Sequence, residues 1–217
     1  MASDSQIEYH LRELEAALDT ASPAHALPDF RQDDRSILDI GCGIGQSLIV
    51  SGDEPGCLRV GIDVDLQSLT YGRRHYPHIY YVLTSAEALP FRSQAFDLVM
   101  SRVALPYTDL RASLSEVARV SASEGRIWLS LHAFKKVAHH LFASIKAGAW
   151  KDVLFRLYAM CNGAAFHFFG LQFRFPWKNR YESFQTRSGF ARTLRQLGFI
   201  DIRFPAGRHF LCTARKP

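Results

Sequence analysis

The chain has 217 residues, 47% of them hydrophobic and 22% charged, and a formal net charge of +5. That balance excludes wholesale disorder and fits one globular domain, or one domain with an insertion. Four cysteines, Cys42, Cys57, Cys161 and Cys212, are scattered without a CxxC pair. They give no metal-ligand spacing and no disulfide framework, and they point to reduced thiols and a cytoplasmic location.

In chain order, "MASDSQIEYHLRELEAALDT" opens the sequence as an acidic amphipathic helix over residues 4–20, with Ser3 or Asp4 as its cap. It lacks the basic start and apolar core of a secretory signal. A Pro/Ala-rich connection, "DTASPAHALPDF", follows. Five short apolar runs then read as strands: "SILDI", "RVGID", "IYYVL", "FDLVMS" and "RIWLSLH". Helical patterns lie between them, among them "DLQSLTYGRRHY" and "LRASLSEVARVS", the latter with Leu114, Val117 and Val120 at a spacing of three. "FIDIRF" and "RHFLCTA" supply two further strands near the end. Strand and helix in alternation predict an α/β fold of three layers, a mostly parallel sheet covered on both faces.

Residues 133–182 interrupt this rhythm. They predict a helical cap of two stretches, about 134–150 and 151–169, before a last helix in "SFQTRSGFARTLRQLGF". Residues 1–30 form the N-terminal helix and linker of the same single domain. The most apolar span, "LYAMCNGAAFHFFGLQF" from Leu157, carries Asn162, His167 and Gln172 and is too short and polar to span a membrane. Charge divides near the start of the cap. Residues 1–131 hold 11 Lys and Arg against 18 Asp and Glu, a balance of −7, whereas residues 132–217 hold 15 against 3, a balance of +12. A basic half suits nucleic acid, anionic lipid or an acidic small substrate, and equally a solvated face.

The stretch with most chemistry is "SILDIGCGIGQSLIV". A strand ending in Asp39 runs into Gly41, Gly43 and Gly45, which marks a strand-to-helix turn with a bare backbone. The dinucleotide fingerprint GxGxxG would need a glycine at position 46, which is Gln46. A carboxylate so close disfavours a pyrophosphate and favours an amino-bearing ligand. Asp63, in "VGIDVD" at the end of the second strand, stands where an acid accepts both hydroxyls of a ribose, with Val64 beside it to pack on a base.

With these motifs the sequence resembles the class I S-adenosylmethionine-dependent methyltransferases, and within them the ubiquinone/menaquinone biosynthesis group. The resemblance runs from about Ser36 to Leu131 through "ILDIGCGIG", "VGIDVD", "SAEALPF", "FDLVMSRVALPY" and "LSEVARVSASEGRIWLSLH", and resumes weakly at "LRQLGF". It implies seven strands in the order 3-2-1-4-5-7-6 with the last antiparallel, and S-adenosyl-L-methionine as cofactor. It also implies that Asp39, Gly41, Cys42 and Gly43 border the methionine half, with Gly45 serving helix–strand packing. Asp63 and Val64 would take the ribose and adenine face, Ser85, Ala86 and Glu87 the adenine edge, and Ser101 and Arg102 the neighbourhood of the sulfonium. Ser85 stands where the family usually has Asp, and "SASEG" where it usually has "LKPGG".

Methyl transfer from a sulfonium needs alignment and dryness first, and a base only where the acceptor loses a proton. Candidate bases are Tyr107, His132, His139, His140, His167, Tyr181 and His209. Tyr107 and His132 rank first because both follow strand C-terminal ends. No metal site is expected. The aromatics of "FHFFGLQFRFPW" suit either an acceptor pocket or a core of the cap, and Arg174, Lys178 and Arg180 interleave with them. Arg174 and Arg180 are the expected acceptor contacts. The function expected is methyl transfer to a small molecule, aromatic or lipophilic with an anionic group, and no nucleic-acid partner. The rivals are a non-catalytic cofactor-binding protein and an RNA or protein methyltransferase.

Overall fold

A computed structural model describes residues 2–22, 25–176, 181–207 and 209–217. Seven strands, β1 (Ser36–Ile40), β2 (Leu58–Asp63), β3 (Tyr80–Leu83), β4 (Phe96–Arg102), β5 (Ser121–Leu131), β6 (Ile200–Arg203) and β7 (Phe210–Arg215), form one sheet. Its order is β3-β2-β1-β4-β5-β7-β6, with β7 antiparallel to both neighbours. The helices are α1 (Ala2–Leu18), α2 (Gln46–Val50), α3 (Leu66–His75), α4 (Leu110–Val120), α5 (Phe134–Lys146), α6 (Trp150–Phe169) and α7 (Arg187–Gln196). This is the expected three-layer α/β architecture.

The central strands are apolar on both faces because helices cover both. Alternate residues feed opposite cores: Val99 faces one with Leu38, Ile40 and Leu129, while Leu98 and Met100 face the other with Ile37 and Trp128. Helix α4 shows why the flanking elements fold as they do. Asp109 caps it, accepting from the Ala112 amide at 3.1 Å, and Leu110, Leu114, Val117 and Val120 make one fully buried stripe. Asp65 caps α3 in the same way, and Arg73, Arg74 and His75 place positive charge at its C-terminal end.

Three local details go beyond the sequence pattern. "SASEG", which stands where the family usually has "LKPGG", is taken into β5. Between the pairs Phe96–Ser121 and Leu98–Arg126 the register shifts, and Glu124 takes a positive φ of 64° to absorb the extra residues. The last helix starts later than its pattern suggested. Gln185 makes a parallel bridge with Ala133, its amide donating to the His132 carbonyl at 2.9 Å, and Thr186 then caps α7. The aromatics of the cap divide between two fates: Phe166 and Phe175 are buried, whereas Phe168, Phe169 and Phe173 are exposed.

The cap has a small core of its own, Val137, Ala159 and Phe184. Asn162, buried in α6, ties the returning chain to the helix. Its Nδ2 donates to the Phe173 and Glu182 carbonyls at 3.2 and 3.1 Å, and its Oδ1 accepts from the Phe173 amide at 2.7 Å. Arg156 pairs with the buried Glu182 at 2.6 Å. Among the described residues no helix is long and apolar enough to cross a membrane.

Candidate functional site

The parallel strands end beside a cavity of about 780 Å³. Such a position is where open α/β sheets take their ligands. Register sets its floor: β1 lies between β2 and β4, with Asp39 opposite Gly61 and Met100. The glycine turn then bends over the strand ends. Gly41 and Gly43 have φ of 76° and 55°, a region that side chains disfavour. A Cβ on Gly41 would lie 2.2 Å from the Ala104 Cβ, so the close approach of these two segments needs the bare backbone.

Asp63 fastens the turn. Its Oδ2 accepts from the Gly43 amide at 2.8 Å and its Oδ1 from the Asp65 amide at 3.0 Å. Each carboxylate oxygen keeps capacity for a further donor. Asp39 is only 2% exposed, and its Oδ1 has no hydrogen-bond partner among the described residues. Burial raises its pKa from 3.8 to about 7, against the opposing Arg102 charge; Asp63 adds to the rise and the Ser47 hydroxyl lowers it. Gln46, also buried, has an unpartnered Oε1. Both residues line the cavity. Two orphaned acceptors in one wall call for a ligand bearing N–H donors, and a cationic one suits Asp39 best.

Asp39, Gly41, Cys42, Asp63, Val64, Ser85, Ala86, Glu87 and Arg102 all line this one cavity, as does Tyr107. Val64 is 73% exposed, a bulky apolar side chain left standing at the rim. Gly43 shapes the turn without lining it. Ser101 stands apart: it is fully buried, and its hydroxyl donates to the Ile40 carbonyl at 2.9 Å, stitching β4 to β1. His132 is buried behind Tyr107, with the phenol oxygen 3.4 Å from its Nε2 and the two rings edge to face. Desolvation, with Lys136, Arg156 and His140 nearby, pushes the His132 pKa down to about 4, so its imidazole is neutral at pH 7. Arg174 is exposed and outside the cavity; its guanidinium lies over the Tyr181 ring. Arg180 lies outside the described residues.

Several cavity residues escaped sequence reasoning. Gln6, Tyr9, His10 and Glu13 of α1 form part of the wall. Glu13 pairs with Arg102 at 2.8 Å, and His10 Nδ1 meets Gln46 Nε2 at 2.9 Å, so α1 is latched over the glycine turn. Lys136, in the first turn of α5, brings a cation of the cap to the cavity, and Ser130 and His209 line it as well. Lys136 sits next to Lys135 in a basic segment, which gave no signal to separate it from a solvated charge. No cluster of His, Cys, Asp and Glu among the described residues has metal-binding geometry.

Residues 38–129 match the family profile Methyltransf_11, the methyltransferase domain. Those 92 of 217 residues are thus similar to a methyltransferase domain, and S-adenosylmethionine is the cofactor of such methyltransferases. Among curated proteins, it is 36% identical over 86 residues to the malonyl-[acyl-carrier protein] O-methyltransferase of Salmonella typhimurium, covering 39% of this chain and 34% of that protein. It is 24% identical over 169 residues to the demethylmenaquinone methyltransferase of Chlorobaculum tepidum, covering 77% of this chain and 66% of that one. The match thus spans about a third of the Salmonella relative's length. Among solved structures, a putative S-adenosylmethionine-dependent methyltransferase from Listeria monocytogenes shares the fold, with a TM-score of 0.57, 18% identity, and coverage of 88% and 94% of the two chains.

Proposed function

We propose that this chain transfers a methyl group from S-adenosylmethionine to a small acceptor, aromatic or lipophilic with an anionic group, in the cytoplasm. The observation that carries the reading is the buried carboxylate of Asp39, orphaned beside a glycine turn that Asp63 fastens. A cofactor with an ammonium, a ribose and an adenine answers each of those features. When bound, it supplies a methyl group already activated on a sulfonium.

This chain's own residues do the rest. Asp39 and the Gln46 carbonyl receive the amino group. Asp63 accepts the ribose hydroxyls, and Val64 with Ser85, Ala86 and Glu87 frames the base. Helix α1 closes over the turn through Glu13–Arg102 and keeps water out. Tyr107 faces the acceptor side, its phenol oxygen accepting a hydrogen bond from the acceptor's O–H, whose proton passes to solvent after methyl transfer, while neutral His132 accepts the phenol hydrogen and fixes the ring. A group kept neutral by burial is a poor proton store, which makes His132 a positioning residue and Tyr107 the catalytic one. Lys136, rather than the distant Arg174, is suited to hold an anionic group of the acceptor. The relative that methylates demethylmenaquinone supports a lipophilic aromatic acceptor, and the free cysteines suit the cytoplasm.

The test is incubation with methyl-labelled cofactor and a fractionated metabolite extract. Label in a small organic-soluble acid supports the reading. Label only in RNA or protein, or no S-adenosylhomocysteine formed with any fraction, overturns it.

A further inference from the structure

Helices α5 and α6 form a hairpin whose tip is apolar and exposed. Phe142 and Ile145 end α5, and Trp150 and Leu154 begin α6. Trp150 is 74% exposed and Phe142 65%. Only Ala147, Gly148 and Ala149 join the two helices, so the connection itself carries no charge. Along α6 the exposure continues as a stripe: Trp150, Leu154, Leu157, Cys161 and Phe168 recur at intervals of four, three, four and seven, one face of a helix. None of these side chains lines the cofactor cavity. A stripe of this size left open to water marks an interaction surface.

Charge identifies the occupant. Between residues 133 and 169 there are five Lys and Arg and one acid, Asp152. Lys146 and Lys151 flank the tip, and Lys135 stands on α5; all three are exposed. Two copies meeting face to face through this surface would bring together two patches of the same net positive charge. An anionic lipid surface matches both features: the apolar stripe enters the acyl boundary and the lysines reach the headgroups. The helices lie in the surface rather than cross it, since none in the described residues is apolar enough to span.

We propose that the cap hairpin docks this protein on anionic bilayers, with Phe142, Ile145, Trp150, Leu154 and Leu157 as anchors and Lys146 and Lys151 as headgroup contacts. Docking needs neither cofactor nor methyl transfer, so it stands or falls apart from the catalytic reading.

The test is co-sedimentation with phosphatidylcholine vesicles, with and without phosphatidylserine, alongside Trp fluorescence. The protein is expected to pellet with phosphatidylserine-containing vesicles, with a blue shift that Trp150→Phe diminishes. Trp150→Glu with Leu154→Glu should cut the partition at least ~10-fold, with the melting temperature unchanged. Lys146→Gln with Lys151→Gln, which removes no apolar contact, should cut it ~10-fold or more and abolish the preference for anionic lipid. Failure to pellet with phosphatidylserine vesicles overturns the proposal, as does unaltered pelleting of both double variants. A concentration-dependent dimer that Leu154→Glu dissolves, without vesicle binding, would assign the face to a second copy instead.

Discussion

Asp39 couples the stability of the empty protein to the strength of its cofactor site, with opposite signs. Its pKa is raised from 3.8 to about 7 by burial. Between those values the folded protein holds a proton that the unfolded chain has released. Stability from this group is therefore fully present below the unfolded pKa, falls as pH rises, and levels off above about pH 7. At ~1.4 kcal/mol per unit, the full loss is about 4 kcal/mol. Asp39→Asn keeps the shape and removes the charge. From pH 5 to pH 8 the stability gap between variant and wild type should widen in the variant's favour by about 3 kcal/mol, which is about 1 M or more in urea midpoint. Comparing the two proteins at each pH cancels the titrating groups that Asp39 does not influence. The same change removes the partner of a bound ammonium, so calorimetry with S-adenosylhomocysteine at pH 8 should show affinity falling roughly 10- to 100-fold. In the wild type, affinity should also fall about tenfold per pH unit below pH 7, since Asp39 must first ionise. Equal effects of Asp39→Asn on urea midpoint at pH 5 and pH 8 would refute the argument. So would unaltered S-adenosylhomocysteine affinity.

Further outcomes follow from the same geometry. Gly43→Val forces a branched side chain into φ of 55° beside the His10 ring, so S-adenosylhomocysteine at about 100 times the wild-type Kd should no longer give its ~2.7 kcal/mol of thermal stabilisation. Tyr107→Phe should lower kcat by ~10-fold or more with cofactor affinity unchanged, while His132→Gln, which keeps an acceptor behind the phenol, should lose less than His132→Phe. Lys136→Ala should raise KM for an anionic acceptor ~10-fold or more by loss of a charged hydrogen bond, and Arg174→Ala, whose guanidinium rests on Tyr181, should change turnover far less.

The fold was legible because its strands are buried on both faces and its helices are capped and striped. "SILDI", "FDLVMS" and the Leu114–Val117–Val120 row announce themselves through patterns that local chemistry enforces. The glycine turn and Asp63 were legible for the same reason: a positive φ and a strand-end acid are written into residue type. What stayed hidden depends on distant packing. Tyr9, His10 and Glu13 look like any surface of an acidic helix, and only the docking of α1 turns them toward Gly43 and Arg102. Lys136 and Arg174 carry similar charge in similarly basic segments; a single helical turn after His132 places the first at the cavity, and the coil after α6 carries the second away. The aromatics of the cap could not be sorted into core and surface because α6 is apolar nearly all round.

Asn162 gives the cap a behaviour separate from the sheet's. One amide joins α6 to both ends of the returning segment, Phe173 and Glu182, and beneath it lies a core of only a few side chains. With Phe166 as its deep anchor in the main core, the rest of the cap rests on these few contacts, and we expect it to open locally before the parallel strands let go. Amide hydrogens of α5 and α6 then exchange through a shared partial opening, while those of β1 and β4 wait for global unfolding. The cap side of the cavity is then expected to be the breathing side, and the glycine turn the still one, which hydrogen exchange would show as faster exchange in α5 and α6 than in β1 and β4.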